Sequence, residues 1–176
     1  MSIVINRDTL EIRLSADPAE HDSSGWLINP NRELTQQVLS GEVPKRHTKI
    51  EGDEYVLRSA EEISEADAEY LAELKLQKIA DIRQQFNEAF NNRYTPLAQL
   101  AATNLRTNAM ASMNDEQLDY LDQLLTWGLQ GDDLVESAEG QVYESTTEEE
   151  LNAVTLDLSG WLENDPKVST RLARRM

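Results

Sequence analysis

His21 and His47 are the only side chains of this chain that exchange protons near neutrality at their ordinary pKa, and the sequence contains no cysteine. Neither histidine stands at a spacing that would pair it with a nucleophile or a metal. Thiol catalysis, disulfide frameworks and thiolate metal sites are excluded outright. Asp115, Asp119 and Asp122 fall at i, i+4 and i+7, so a helix would carry three carboxylates on one face. Such a face can hold a hard cation. It is more simply a solvated surface, and we expect no metal there. Gly131-Asp132-Asp133 lacks the alternating acids and central glycine of a calcium loop, and there is neither a glycine-rich phosphate loop nor an HExxH element. The expectation is a protein with no catalytic residues, no cofactor and no metal, and hence not an enzyme.

The residues left for recognition are aromatic and basic. Trp26, Trp127 and Trp161 each lie within an apolar run, which suits a core anchor, while tryptophan is also enriched where interfaces concentrate their energy. Between Thr107 and Pro166 there is no lysine or arginine, yet the stretch holds fifteen carboxylates. Directly after it, Lys167, Arg171, Arg174 and Arg175 form a basic tail with no acid. That tail is either a free end or an arm that docks on an acidic neighbour, another copy included. Trp26, Trp127, Trp161, Arg171, Arg174 and Arg175 are the candidate interface residues.

The chain that must position them has 176 residues, 39% of them hydrophobic, with a formal net charge of −17 and a mean hydropathy of −0.58. Its length suits one domain or a small module joined to a larger one, with a lean core. The charge repels phosphate backbones and anionic lipid, so neither nucleic acid nor membrane is expected as a partner. The apolar run at Ile3–Ile5 is too short for a signal-peptide core, and no segment approaches the ~20 apolar residues of a membrane span.

Ile3–Ile5 and Leu10–Leu14 flank Asn6-Arg-Asp-Thr9, the pattern of a hairpin. Trp26–Ile28 reads as a third strand, Arg32–Leu39 as one or two helical turns, and Lys49-Ile50 with Tyr55–Leu57 as strands around Glu51-Gly52-Asp53-Glu54. The first sixty residues therefore predict one small antiparallel sheet of four or five strands. Ser64 is read as the N-cap of a long helix whose Leu76, Ile79, Ile82, Phe86 and Phe90 share an apolar face. Thr95-Pro96 opens a second helix bearing Leu97, Leu100 and Leu105. Asn114–Gln117 is a close relative of the capping box and opens a third, along which Leu118, Leu121, Leu124, Leu125 and Leu129 recur until Gly128 and Gly131 end it. Asp132–Ser145 is left undecided between helical turns and a minor strand pair. Thr147 and the acids after it start a fourth helix lined by Leu151, Val154, Leu158, Trp161 and Leu162. The fold class is thus α+β, with a β-rich module at 1–60, a helical body of about four helices at 64–166 and a basic tail at 167–176.

Ile5-Asn-Arg-Asp-Thr-Leu-Glu-Ile-Arg13, Trp26-Leu-Ile-Asn-Pro-Asn31, Val43-Pro-Lys-Arg-His-Thr-Lys-Ile-Glu-Gly-Asp53 and the helix containing Leu74-Lys-Leu-Gln-Lys-Ile-Ala-Asp-Ile82 resemble small accessory proteins of tailed bacteriophages. The resemblance runs over roughly residues 1–90. It implies a component of the tail, associated with tail fibres or the baseplate, placed in the virion after assembly in the host cytoplasm, and it brings no catalytic residues. Other phage tail proteins are the partners it implies, with homo-oligomers as a further option. An assembly chaperone for tail-fibre subunits is the alternative. An acidic mimic of DNA that inhibits a basic protein is a third reading.

Overall fold

The computed structural model describes residues 2–15, 25–28, 30–94 and 114–166. The protein is α+β, a small antiparallel β region followed by a helical body. It divides into two compact units, 1–70 and 71–176, and the division falls within one helix.

In the first unit, β1 (Ser2–Asn6) lies between β2 (Ile12–Ser15) and β3 (Trp26–Ile28). Ile5 stands opposite Ile12 on one side and Leu27 on the other, which concentrates apolar side chains on the middle strand. The β1–β2 turn is held by the Asn6 carboxamide oxygen, which accepts from the backbone N–H groups of Asp8 and Thr9 at 3.0 and 2.9 Å. Next come α1 (Arg32–Ser40), capped by the Asn31 side chain, and a short 3-10 turn at Lys45–His47. A separate two-stranded ladder follows, β4 (Thr48–Glu51) with β5 (Glu54–Leu57). Gly52 turns this hairpin with φ at +62°, a value that costs a glycine nothing.

The single sheet expected from the sequence is therefore two sheets. α1 and the 3-10 turn separate β3 from β4, and Ile5, Leu27, Leu34 and Tyr55 form one core from strands and helix together. Arg7 ties the two hairpins, donating to the Gly52 carbonyl at 2.8 Å and to Asp53 at 2.6 Å.

The long helix α2 spans Ala60–Arg93, starting one turn before the expected Ser64. Ser59 and Glu62 form a reciprocal cap: the Glu62 carboxylate accepts from the Ser59 N–H at 2.8 Å, and the Ser59 hydroxyl accepts from the Glu62 N–H at 3.3 Å. Ser64 lies within the helix instead.

The second unit packs the later part of α2 against α3 (Asp115–Glu144). Ile79 and Ile82 meet Ala138 and Val142, while Phe90 and Tyr94 meet Trp127, so the two helices run antiparallel. Asn114 and Gln117 make the expected capping box. The helix does not stop at Gly128 or Gly131, however, and it absorbs 132–144 as well. A Cβ on Gly131 would lie 2.6 Å from Phe86 and 2.8 Å from Trp161, so this glycine makes room for aromatic rings rather than ending the helix.

The expected fourth helix is two short ones, α4 (Glu148–Ala153) and α5 (Ser159–Glu163). Between them burial alternates residue by residue, with Val154, Leu156 and Leu158 turned inward and Thr155 and Asp157 exposed. Period two marks an extended segment, and the β-branched Val154 and Thr155 favour it. The helix expected from Thr95 and the tail 167–176 lie outside the described residues.

Candidate protein interaction surface

Among the described residues, His47 is the histidine whose surroundings the structure gives. His47 Nε2 lies 2.7 Å from the Asp67 carboxylate, which also accepts from Arg46 at 2.5 Å, and the Arg46 guanidinium sits 4.2 Å over the Tyr70 ring. His47 and then Arg46 hold the Asp67 carboxyl below its usual range. One turn away Lys49 donates to Glu62 at 2.9 Å, and this bond, with that from the Ser59 N–H, brings the Glu62 carboxyl down to about 2. These contacts fix the start of α2 on the β4–β5 hairpin within the first unit. His21 lies outside the described residues, and among the described residues no group of three His, Asp or Glu side chains could hold a metal ion. Asp115, Asp119 and Asp122 are exposed along α3.

The three tryptophans take different places. Trp26 is half-buried on β3, with the Arg13 guanidinium 5.3 Å over its ring. Trp127 and Trp161 are 2% and 5% exposed, in an aromatic cluster with Phe86, Phe90 and Tyr94. Tyr94 closes that cluster, its hydroxyl donating to Asp165 at 2.8 Å and to the Pro166 carbonyl at 3.1 Å. Burial and the adjoining Asp165 carboxylate push the Tyr94 phenol above its ordinary pKa. Arg171, Arg174 and Arg175 lie outside the described residues.

A surface does emerge on α3, from residues whose apolar character the sequence placed in the core. The leucines read as a single stripe belong to two. Leu121 and Leu124 face inward with Tyr120, Trp127 and Gly131, whereas Leu125 and Leu129 are 38% and 64% exposed. Leu118, Asp122, Leu125, Leu129, Asp132, Glu136 and Tyr143 follow one another at steps of three, four or seven, so they share the outer side of α3. Tyr143 is 62% exposed.

The acids of this face find no cation among the described residues. Among the described residues, only Glu139 and Asp165 of the fifteen carboxylates between Thr107 and Pro166 pair with a cation, Arg83 and Arg93 respectively. The Arg83 bond is bidentate and lowers the Glu139 carboxyl. Lys75 also reaches α3, donating to the Tyr143 carbonyl at 2.9 Å, near the negative end of the helix dipole. Asp122, Asp132, Asp133 and Glu136 are left facing solvent around the exposed leucines.

In the first unit, a shallow groove of about 270 Å³ between α1 and β5 is lined by Asn31, Glu33, Leu34, Gln37, Val56 and Leu57. Of its polar residues, Asn31 is engaged as the cap of α1, its side-chain oxygen accepting from the Leu34 N–H at 3.2 Å. No described helix is long and apolar enough to cross a membrane. Comparison with protein-family models, with curated proteins and with solved structures finds no match.

The outer stripe left a signal in the sequence. Between Leu118 and Tyr143 the inward and outward sets both recur at steps of three and four, offset by part of a turn. The acids among the second set, Asp122, Asp132 and Glu136, distinguish it from the first.

Proposed function

We propose that this protein is a non-enzymatic structural or adaptor component of a phage tail, associated with tail fibres or baseplate, that works through protein–protein contacts. The observation that carries the contact reading is the outer side of α3, where Leu125, Leu129 and Tyr143 stand exposed among carboxylates that pair with no cation among the described residues. Solvent-exposed leucines in register along a helix cost solubility unless another surface covers them. The phage assignment is supported by the resemblance of residues 1–90.

Quantitative measurement of the protein in purified particles tests this reading. A fixed copy number per particle is expected, and detection only in the lysate of infected cells would overturn it in favour of an assembly chaperone. The chaperone reading predicts rescue of fibre-subunit folding on co-expression and absence from the finished particle.

A further inference from the structure

We infer that the outer stripe of α3 is one half of a two-helix seam whose other half is an amphipathic helix of a different protein, with apolar side chains facing Leu125 and Leu129 and lysine or arginine facing Asp132 and Glu136. This rests on the reading of the stripe as a contact surface and names the chemistry of what it contacts.

Spacing selects a helix as the occupant. From Leu118 to Tyr143 the outer residues alternate steps of four and three without a break, Glu139 being the step between Glu136 and Tyr143. This alternation is the 3.5-residue repeat by which one helix lies along another, and it is sustained here for about four heptads. The seam has two halves. Leu118, Leu125 and Leu129 dominate the first, where Leu129 is 64% exposed, and Asp132 and Glu136 stand exposed in the second. Beside the second half Arg83 holds Glu139. Leu76, seven residues before Arg83 and so on the same side of α2, is 67% exposed, which continues the apolar surface onto that helix.

Charge selects the chemistry. A carboxylate covered by another helix loses its water and is destabilising unless a cation takes the water's place. α3 itself carries no lysine or arginine, and Asp122, Asp132 and Glu136 find no cation among the described residues. A second copy of the stripe does not supply one. In parallel, Asp132 and Glu136 meet themselves, and in antiparallel with Leu125 set against Leu129, Asp122 meets Asp132. Like charges so placed disfavour self-pairing through this face, whereas a basic helix relieves all three acids.

The test uses the full-length chain and synthetic helices as long as the seam. One peptide carries Leu facing the leucines and Lys facing Asp122, Asp132 and Glu136, made in parallel and in reversed order, with Ala and Gln elsewhere. A second replaces each Lys by Glu. Fluorescence anisotropy at low salt should show the Lys peptide binding in one of the two orders and the Glu peptide binding at least about tenfold more weakly, because juxtaposed like charges reject the wrong partner. Leu129→Ser should weaken binding of the Lys peptide severalfold, and Leu39→Ser, at a leucine of similar exposure on α1, should leave it unchanged. Asp132→Lys with Glu136→Lys should reverse the preference between the peptides, whereas Glu148→Lys with Glu149→Lys, the same change in net charge on α4, should preserve it. No binding of the Lys peptide in either order up to about 0.1 mM, equal binding of both peptides, or a preference that follows net charge wherever it is placed would each overturn the inference. So would self-association of the full-length chain that Leu129→Ser abolishes. A chain that ignores both peptides while keeping a fixed copy number in particles refutes the partner chemistry alone, so failure of this inference is distinguishable from failure of the contact reading.

Discussion

Trp127 and Trp161 lie ring on ring, with centroids 4.0 Å apart and planes 8° from parallel, and each indole N–H donates to the other's backbone carbonyl, at 2.8 and 2.7 Å. The two residues are 34 positions apart, one in the middle of α3 and the other in the five-residue α5. A helix as short as α5 does not persist on its own in water, so this reciprocal pairing is what fixes it in place.

Removing either donor leaves a buried carbonyl without its partner. Trp161→Phe keeps an aromatic ring but loses the N–H, and it should destabilise the protein by about 1–3 kcal/mol. Trp161→Ala loses the ring as well and should cost about 3–5 kcal/mol. Chemical denaturation followed by circular dichroism measures both, and a Trp161→Phe variant as stable as the parent would contradict the pairing.

Three glycines of α3 provide an internal comparison. Alanine is favoured over glycine within a helix by about 1 kcal/mol. Gly140→Ala meets nothing within 4 Å, and Gly128→Ala only Phe90 at 4.0 Å, so both should raise the melting temperature. Gly131→Ala drives a Cβ to 2.6 Å from Phe86 and 2.8 Å from Trp161, and overpacking of about 1–3 kcal/mol should outweigh the propensity gain. Thermal melts of the three single variants should therefore split in sign, with Gly131→Ala alone lowered.

Acid should weaken the attachment of α2 to the β4–β5 hairpin before it unfolds the whole. The Glu62 carboxyl is held at about 2 in the folded protein, from an ordinary value of 4.5, first by Lys49 and then by the Ser59 backbone. A carboxyl whose folded pKa is depressed stabilises above its unfolded value and loses that contribution as pH falls toward the folded one. The loss should therefore run from about pH 4.5 to about pH 2. Asp67 and Glu139, also depressed, act in the same direction. Glu62→Gln should flatten the pH dependence of stability over this window relative to the parent. An unchanged slope would show that the ion pair is not made in solution.

The outer stripe of α3 should separate stability from function. Leu129→Ser alters an exposed side chain and should change folding free energy by no more than about 0.5 kcal/mol. Leu121→Ser, in the core of the same helix, should unfold the protein or cost several kcal/mol, in the range of about 2–5 for large core truncations. Incorporation of the Leu129→Ser variant into particles should fall while its melting curve stays put. Wild-type incorporation would remove the stripe from the contact surface.

Much of the fold could be read from short-range patterns. Asn6 and Gly52 mark the hairpin turns, Asn31 and Asn114 mark helix starts, and the alternation in β1 and β2 needs no distant partner to be recognised. The Ser59–Glu62 cap was equally local, but Ser64 with its own following acids offers a competing start, and only the pairing of Glu62 with Lys49 favours the earlier one. The candidate surface was legible as a charge imbalance in 107–166 and illegible as a surface, because leucines at helical spacing do not say which of two overlapping stripes meets a neighbour.

What the sequence by itself determined is the class of the protein: a β-rich start, a helical continuation, and an acidic stretch beside a basic tail. Tertiary structure decided the rest where one position answers to another far along the chain. Gly131 reads locally as a helix end, yet Phe86 and Trp161 require a glycine there with the helix unbroken. Leu125 and Leu129 read locally as core, yet Trp127 turns inward to reach Trp161 and takes the helix's buried side, leaving them exposed. Both outcomes follow from packing between α3 and residues 30 or more positions away, which no local periodicity encodes.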